Sequence, residues 1–138
     1  MTADTKIMSG VILISIVSIE FGGFFLLGIL GGKHKDLEIT DFQKAMFRAG
    51  HAHAGVLVIL AIICQILADH VLLPPALEWL GRSGVAVAAL LVSGGFFAAA
   101  AGKKRVSPNK FIALVYAGML VLAISLVILG AGLMRSAG

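Results

Sequence analysis

The stretch Phe42–Asp69, FQKAMFRAGHAHAGVLVILAIICQILAD, decides how this chain is read. As a helix rising ~1.5 Å per residue it is long enough to cross the ~30 Å hydrocarbon core of a bilayer. Inside it, Gly50-His51-Ala52-His53-Ala54-Gly55 sets two imidazoles among apolar neighbours. Ionisable groups at that depth are expensive to hold, which makes His51 and His53 functional candidates.

Working outward, three more apolar runs have comparable length: Ile7–Leu30, Ser83–Gly102 and Lys110–Met134. With 59% hydrophobic and 13% charged residues and a mean hydropathy of +1.05, the 138-residue chain lies far from soluble composition. The gaps between runs are too short for a separate core. The expected fold is therefore all-α, an integral membrane four-helix bundle forming one domain over residues 1–138, embedded in the lipid bilayer. The run Ile7–Leu30 exceeds the apolar core of a cleaved leader and lacks a small-x-small cleavage site, so it is expected to be a true span. Cys64 is the one cysteine, which excludes a disulfide framework or a cysteine-rich zinc site.

Charge fixes the expected topology. The linkers Gly31–Thr40 and Lys103–Asn109 lie on one side with Lys33, Lys35, Lys44, Arg48, Lys103, Lys104, Arg105 and Lys110, while Lys6, Arg82 and Arg135 lie on the other. The positive-inside rule then puts both termini outside the cytoplasm and suggests a bacterial inner membrane. Basic residues placed this way report topology, and no basic face interleaved with aromatics suggests nucleic acid. Thr40 or Asp41 is the expected N-cap of the second helix. Pro74-Pro75 and the interfacial anchor Trp79 are expected in a linker His70–Arg82. His34 and His70, in or beside linkers, are expected to be solvated. An internal echo links Glu20-Phe21-Gly22-Gly23-Phe24-Phe25 in span one with Ser93-Gly94-Gly95-Phe96-Phe97 in span three.

Counting along antiparallel helices places Glu20 and His51 at similar depth, each ~15 Å from the linker that joins their spans. Ser93 and Tyr116 fall near the same level, giving a polar layer in which Glu20 and Tyr116 are the candidate catalytic groups. His51 and His53 are ~200° apart around the helix and cannot both face one site. His51 shares a face with Arg48, Gly55 and Val58; His53 shares one with Ala49, Leu57, Leu60 and Cys64. One of the two is expected to be the metal or cofactor ligand, and the residues alone leave open which.

Three chemistries suit this set. Haem b needs one axial imidazole, an apolar cleft and small residues such as Gly50, Ala54 and Gly55 for close helix approach, with Lys44 and Arg48 placed to pair with propionates. With histidine in only one span, a five-coordinate haem would keep an open position, suited to Lewis-acid chemistry on a small apolar molecule. A zinc site would need more protein ligands than are in reach. A proton-coupled transporter or channel would use Glu20 and His51 as a relay in an oligomer. A structural subunit, binding no cofactor, would use the same polar groups as interhelical glue.

Arg48-Ala49-Gly50-His51-Ala52-His53-Ala54-Gly55 resembles the small four-span membrane isomerases typified by styrene oxide isomerase and, more distantly, hydroxylaminobenzene mutase. Ala52-His53-Ala54-Gly55 matches their Ala-His-small-Gly signature, whereas Arg48-Ala49 matches only with an insertion before His51. The resemblance implies a homo-oligomer in which a histidine at this position binds haem b, whose ferric iron acts as a Lewis acid in an isomerisation. The Asn-Gly that follows the histidine in that family is replaced here by Leu57, Val58 and Ile59.

Overall fold

The computed structural model describes residues 1–33 and 37–138 and consists of four long helices. These are α1 (Ala3–Leu30), α2 (Asp41–Ala68), α3 (Pro75–Ala99) and α4 (Ile112–Ser136). Each is long and apolar enough to cross a membrane, and the described residues contain no strand. The all-α bundle of membrane-spanning helices is as the hydropathy pattern predicts. His34 and Lys35, expected in a solvated linker, lie outside the described residues; His70 is exposed.

Two helix starts explain themselves. Thr40 is the N-cap of α2 and forms a capping box, its hydroxyl accepting from the Gln43 amide while the Gln43 side chain returns to the Thr40 backbone. Asp41 is consequently the first helical residue, and two donors left free by the helix start are satisfied at once. Helix α3 begins much earlier than Ser83. Pro74 is its N-cap and Pro75 its first residue, because a proline at that position lacks only an N–H that the first turn leaves unused. Trp79 and Arg82 are therefore helical, and the second linker shrinks to residues 69–74. At the other end of α1, Gly32 takes φ +72°, a left-handed turn that glycine adopts without steric cost.

Helix α3 packs extensively on both α2 and α4, whereas α1 rests chiefly on α2. Small residues set the close α3–α4 approach: a methyl added at Gly95 or Gly118 would come within 2.8 Å of Val115 and 2.7 Å of Val92, and one at Gly84 would collide with Ser125. In lipid there is little hydrophobic drive between helices, so such close backbone packing carries much of the association. At the basic end, Gln43 donates to the carbonyls of Ala100 (2.9 Å) and Gly102 (2.8 Å). Asn109 donates from its side chain to Ala98 O (2.8 Å) and from its backbone to Ala99 O (2.9 Å), closing the end of α3.

The opposite end is held by an ionic network. Arg82, only 2% exposed, donates to Asp69 Oδ1 (3.1 Å), Glu78 Oε1 (3.1 Å) and the Thr5 hydroxyl. Thr5 and Thr2 in turn donate to Asp69, and Gln65 donates to Arg82 O (2.6 Å). Arg82, which the sequence pattern places at the end of the linker His70–Arg82, is instead a buried helical tie between α1, the end of α2 and α3. The contacts Thr2–Asp69 and Leu72–Ser136 also bring both termini and the second linker to one end of the bundle.

Candidate functional site

Because α1 leans chiefly on α2, a groove of about 390 Å³ opens between α1 and α3 with α2 as its floor. Ile12, Ser15, Ile19 and Gly22 of α1, Ala54 and Val58 of α2, and Ala89, Ser93 and Phe97 of α3 line it. His51 is the only titratable side chain among the lining residues. The Ser15 and Ser18 hydroxyls donate to the helix carbonyls of Ile12 and Ser15 (both 2.6 Å), so the middle of the groove is effectively apolar. At the His51 end lies Ser93, whose buried hydroxyl has no hydrogen-bond partner among the described residues.

The imidazole of His51 rests on a glycine platform. A methyl added at Gly23 would approach His51 Cε1 to 3.1 Å and Nε2 to 3.4 Å, and one at Gly22 would lie 3.8 Å from Nδ1. On the other side, a methyl at Gly50 would meet the Phe97 ring at 2.9 Å and Ser93 O at 3.1 Å. The two halves of the internal echo thus flank α2 at one level, Gly22-Gly23 from α1 and Ser93–Phe97 from α3. The close approach foreseen around the histidines is made by Gly50, Gly22 and Gly23; Gly55 faces open space and is not part of the groove lining.

His53 points elsewhere, as the ~200° rotation requires. Its Nδ1 is 2.7 Å from Ala49 O, and its ring lies 5.1 Å from that of Phe96. A carbonyl only accepts, so Nδ1 carries the proton. His53 is exposed on a different face of α2 and does not line the groove.

The remaining expected site residues separate. Glu20 shares the approximate level of His51 but is exposed on α1, outside the groove, with no hydrogen bond or ion pair among the described residues. Tyr116 is 66% exposed on α4, away from the groove. Lys44 pairs with Asp41 (3.1 Å), while Arg48, one turn from His51, is exposed and has no partner among the described residues. Among the described residues, no three His, Cys, Asp or Glu side chains gather as a metal-binding group.

Compared with protein-family models, curated proteins and solved structures, the chain matches none. Its function is therefore argued from the groove.

The Asp69 network, by contrast, has the geometry of a structural tie. Hydrogen bonding from Thr5, with further bonds from Thr2 and Arg82, outweighs burial and holds the Asp69 carboxyl well below the usual carboxylate range. Every charged group in it has a partner. Arg82 is absent from the lining of the groove.

Proposed function

We propose that this chain is an integral membrane protein that holds haem b in the α1–α3 groove through His51 as single axial ligand, and acts as an isomerase on an apolar, oxygen-bearing molecule. The observation that carries the reading is His51 itself, the one imidazole lining an otherwise largely apolar groove between the apolar helices. The donor set suits this group: one imidazole with no carboxylate or thiolate beside it in the groove lining is enough to hold a macrocycle's iron. Gly22 and Gly23 seat the ring on the α1 side. The resemblance of Arg48–Gly55 to the styrene oxide isomerases supports a haem-binding histidine in this stretch without choosing between His51 and His53, and the choice of His51 rests on the groove.

Haem bound there would supply Lewis-acid polarisation of a substrate oxygen. The chain's own residues would do the rest: His51 would hold the iron, Arg48 would pair with a propionate, and the apolar walls from Ile12 to Ala89 would exclude water. The cation-rich end carrying Arg48 is assigned to the cytoplasm of a bacterial inner membrane. Arg82 is neutralised by Asp69 and Glu78, which sharpens the charge contrast between the two sides. Glu20, a charge left on the lipid-facing side of α1, favours a homo-oligomer that covers it.

The test is an absorption spectrum of protein purified in detergent after expression with ample haem. A Soret band lost in His51→Ala and retained in His53→Ala is expected. A colourless protein, or a band that depends on His53 alone, overturns the assignment.

A further inference from the structure

Glu20 stands in the interior of α1, ~15 Å short of Leu30 along the helix axis, and is exposed on the outer side of the helix. Its own side chain cannot reach water from there. The seat of His51 fixes its level, because that ring lies against Gly22 and Gly23 of α1. From this level Glu20 is displaced by ~3–5 Å toward the start of α1, and His53 by ~3 Å toward the end of α2. The two helices run antiparallel, with Thr5 near Gln65 and Gly23 near His51, so both displacements have the same direction and Glu20 and His53 share one depth. We infer that Glu20 pairs with His53 of the partner subunit, a second copy of this chain, its carboxyl and the imidazole Nε2 sharing one proton across the interface. This deepens the homo-oligomer proposed above, on which it rests, by naming the groups that join its copies.

Within one chain the two groups do not meet: His53 lies against Phe96 of α3, while Glu20 has no hydrogen bond or ion pair among the described residues. Copies inserted in the same orientation keep every residue at its own depth, so Glu20 can meet only groups of its own level. A second Glu20 would add a like charge. Tyr116, exposed near that level on α4, offers a hydroxyl but no counter-charge. His53 offers both a bond and a charge. Its Nδ1 donates to Ala49 O (2.7 Å), which leaves Nε2 of an exposed ring for a partner. A carboxyl and an imidazole sharing one proton are neutral as a pair, which removes the cost of a lone carboxylate in hydrocarbon. The surroundings suit helix contact as well. Val17 and Phe24, a turn to either side of Glu20, and Val56, a turn from His53, are all exposed, and α1 rests chiefly on α2, so its outer face is open to a neighbour. Each copy carries both halves of the pair, as self-association requires.

The experiment follows association of full-length chains carrying donor or acceptor fluorophores, by energy transfer in detergent micelles, after expression with ample haem. Self-association is expected, weakened at least tenfold in Glu20→His and in His53→Glu, which set two imidazoles or two carboxyls against each other. Mixing these two variants should restore association to within threefold of the unmodified chain, and so should the double variant Glu20→His/His53→Glu; a variant that merely misfolds gains nothing from its complement. An unmodified chain that stays monomeric overturns the inference. So do single variants that associate as tightly as the original, a loss that neither mixing nor the double exchange repairs, or an equal loss in Tyr116→Phe. The Soret band is read on the same samples. Association that follows the exchange in a chain without that band refutes the haem and keeps the pair, and a Soret band with association indifferent to the exchange does the reverse.

Discussion

His51 rests against Gly23, where a single added methyl would press to 3.1 Å from Cε1 and 3.4 Å from Nε2 of the ring. That contact ties the orientation of the groove's one imidazole to a glycine on a different helix. Gly23→Val should displace the ring and lower haem occupancy severalfold, read as Soret absorbance per protein. Gly22→Ala, whose methyl meets Nδ1 at an ordinary 3.8 Å, should leave it near the unmodified level.

Arg82 and Asp69 form the second relationship that can be broken cleanly. Removing one member of a buried pair strands a charge, at a typical cost of ~3–5 kcal/mol. Arg82→Ala and Asp69→Ala should each lower the unfolding midpoint in detergent strongly, and the double variant should lose less than the sum. Simple additivity would mean that the two do not depend on each other.

The same network sets a pH response. The folded-state pKa of Asp69 is depressed, so its stabilisation is fully present above the unfolded value of ~3.9 and is lost as the pH falls below it toward the folded value. Thermal unfolding from neutral pH down to pH ~3, across the ordinary carboxylate range, should therefore decline in the lowest part of the range. Asp69→Asn should start less stable and decline less steeply there.

Glycines offer paired comparisons. At Gly118 an added methyl would meet Val92 N at 2.9 Å, and backbone cannot step aside, so Gly118→Ala should destabilise by ~1–3 kcal/mol. Gly130 has open space around its Cβ position. There Gly130→Ala should be neutral or stabilising by up to ~1 kcal/mol, from helix propensity alone.

Much of this architecture is legible in the sequence because hydrocarbon imposes a length and a composition on anything that crosses it. The four spans, the Thr40 cap and the opposed faces of His51 and His53 all follow from a 3.6-residue period and a ~30 Å thickness. The start of α3 is hidden because Pro74-Pro75 reads as a linker until the chain is seen to use Pro75 as a first helical residue. Arg82 is misread for a related reason: a cation near a helix end looks solvated, and its partners Thr5 and Asp69 lie 77 and 13 residues away. Matching depths brings Glu20 and Tyr116 to the level of His51, but depth says nothing about azimuth, and both project outside the groove. The groove itself depends on α1 leaning chiefly on α2, a tertiary choice with no local signal.

The tie between Thr5 and Arg82 also orders events in time. Synthesis proceeds from the amino terminus, so α1 reaches the bilayer long before α3 exists, and the guanidinium that fastens it arrives 77 residues later. Until then α1 and α2 are tied at their shared end by the hydrogen bonds of Thr2 and Thr5 to Asp69 and Gln65. Insertion of the third helix is thus the moment at which the first is locked, and the wall of the groove is set in place by a residue that does not touch it.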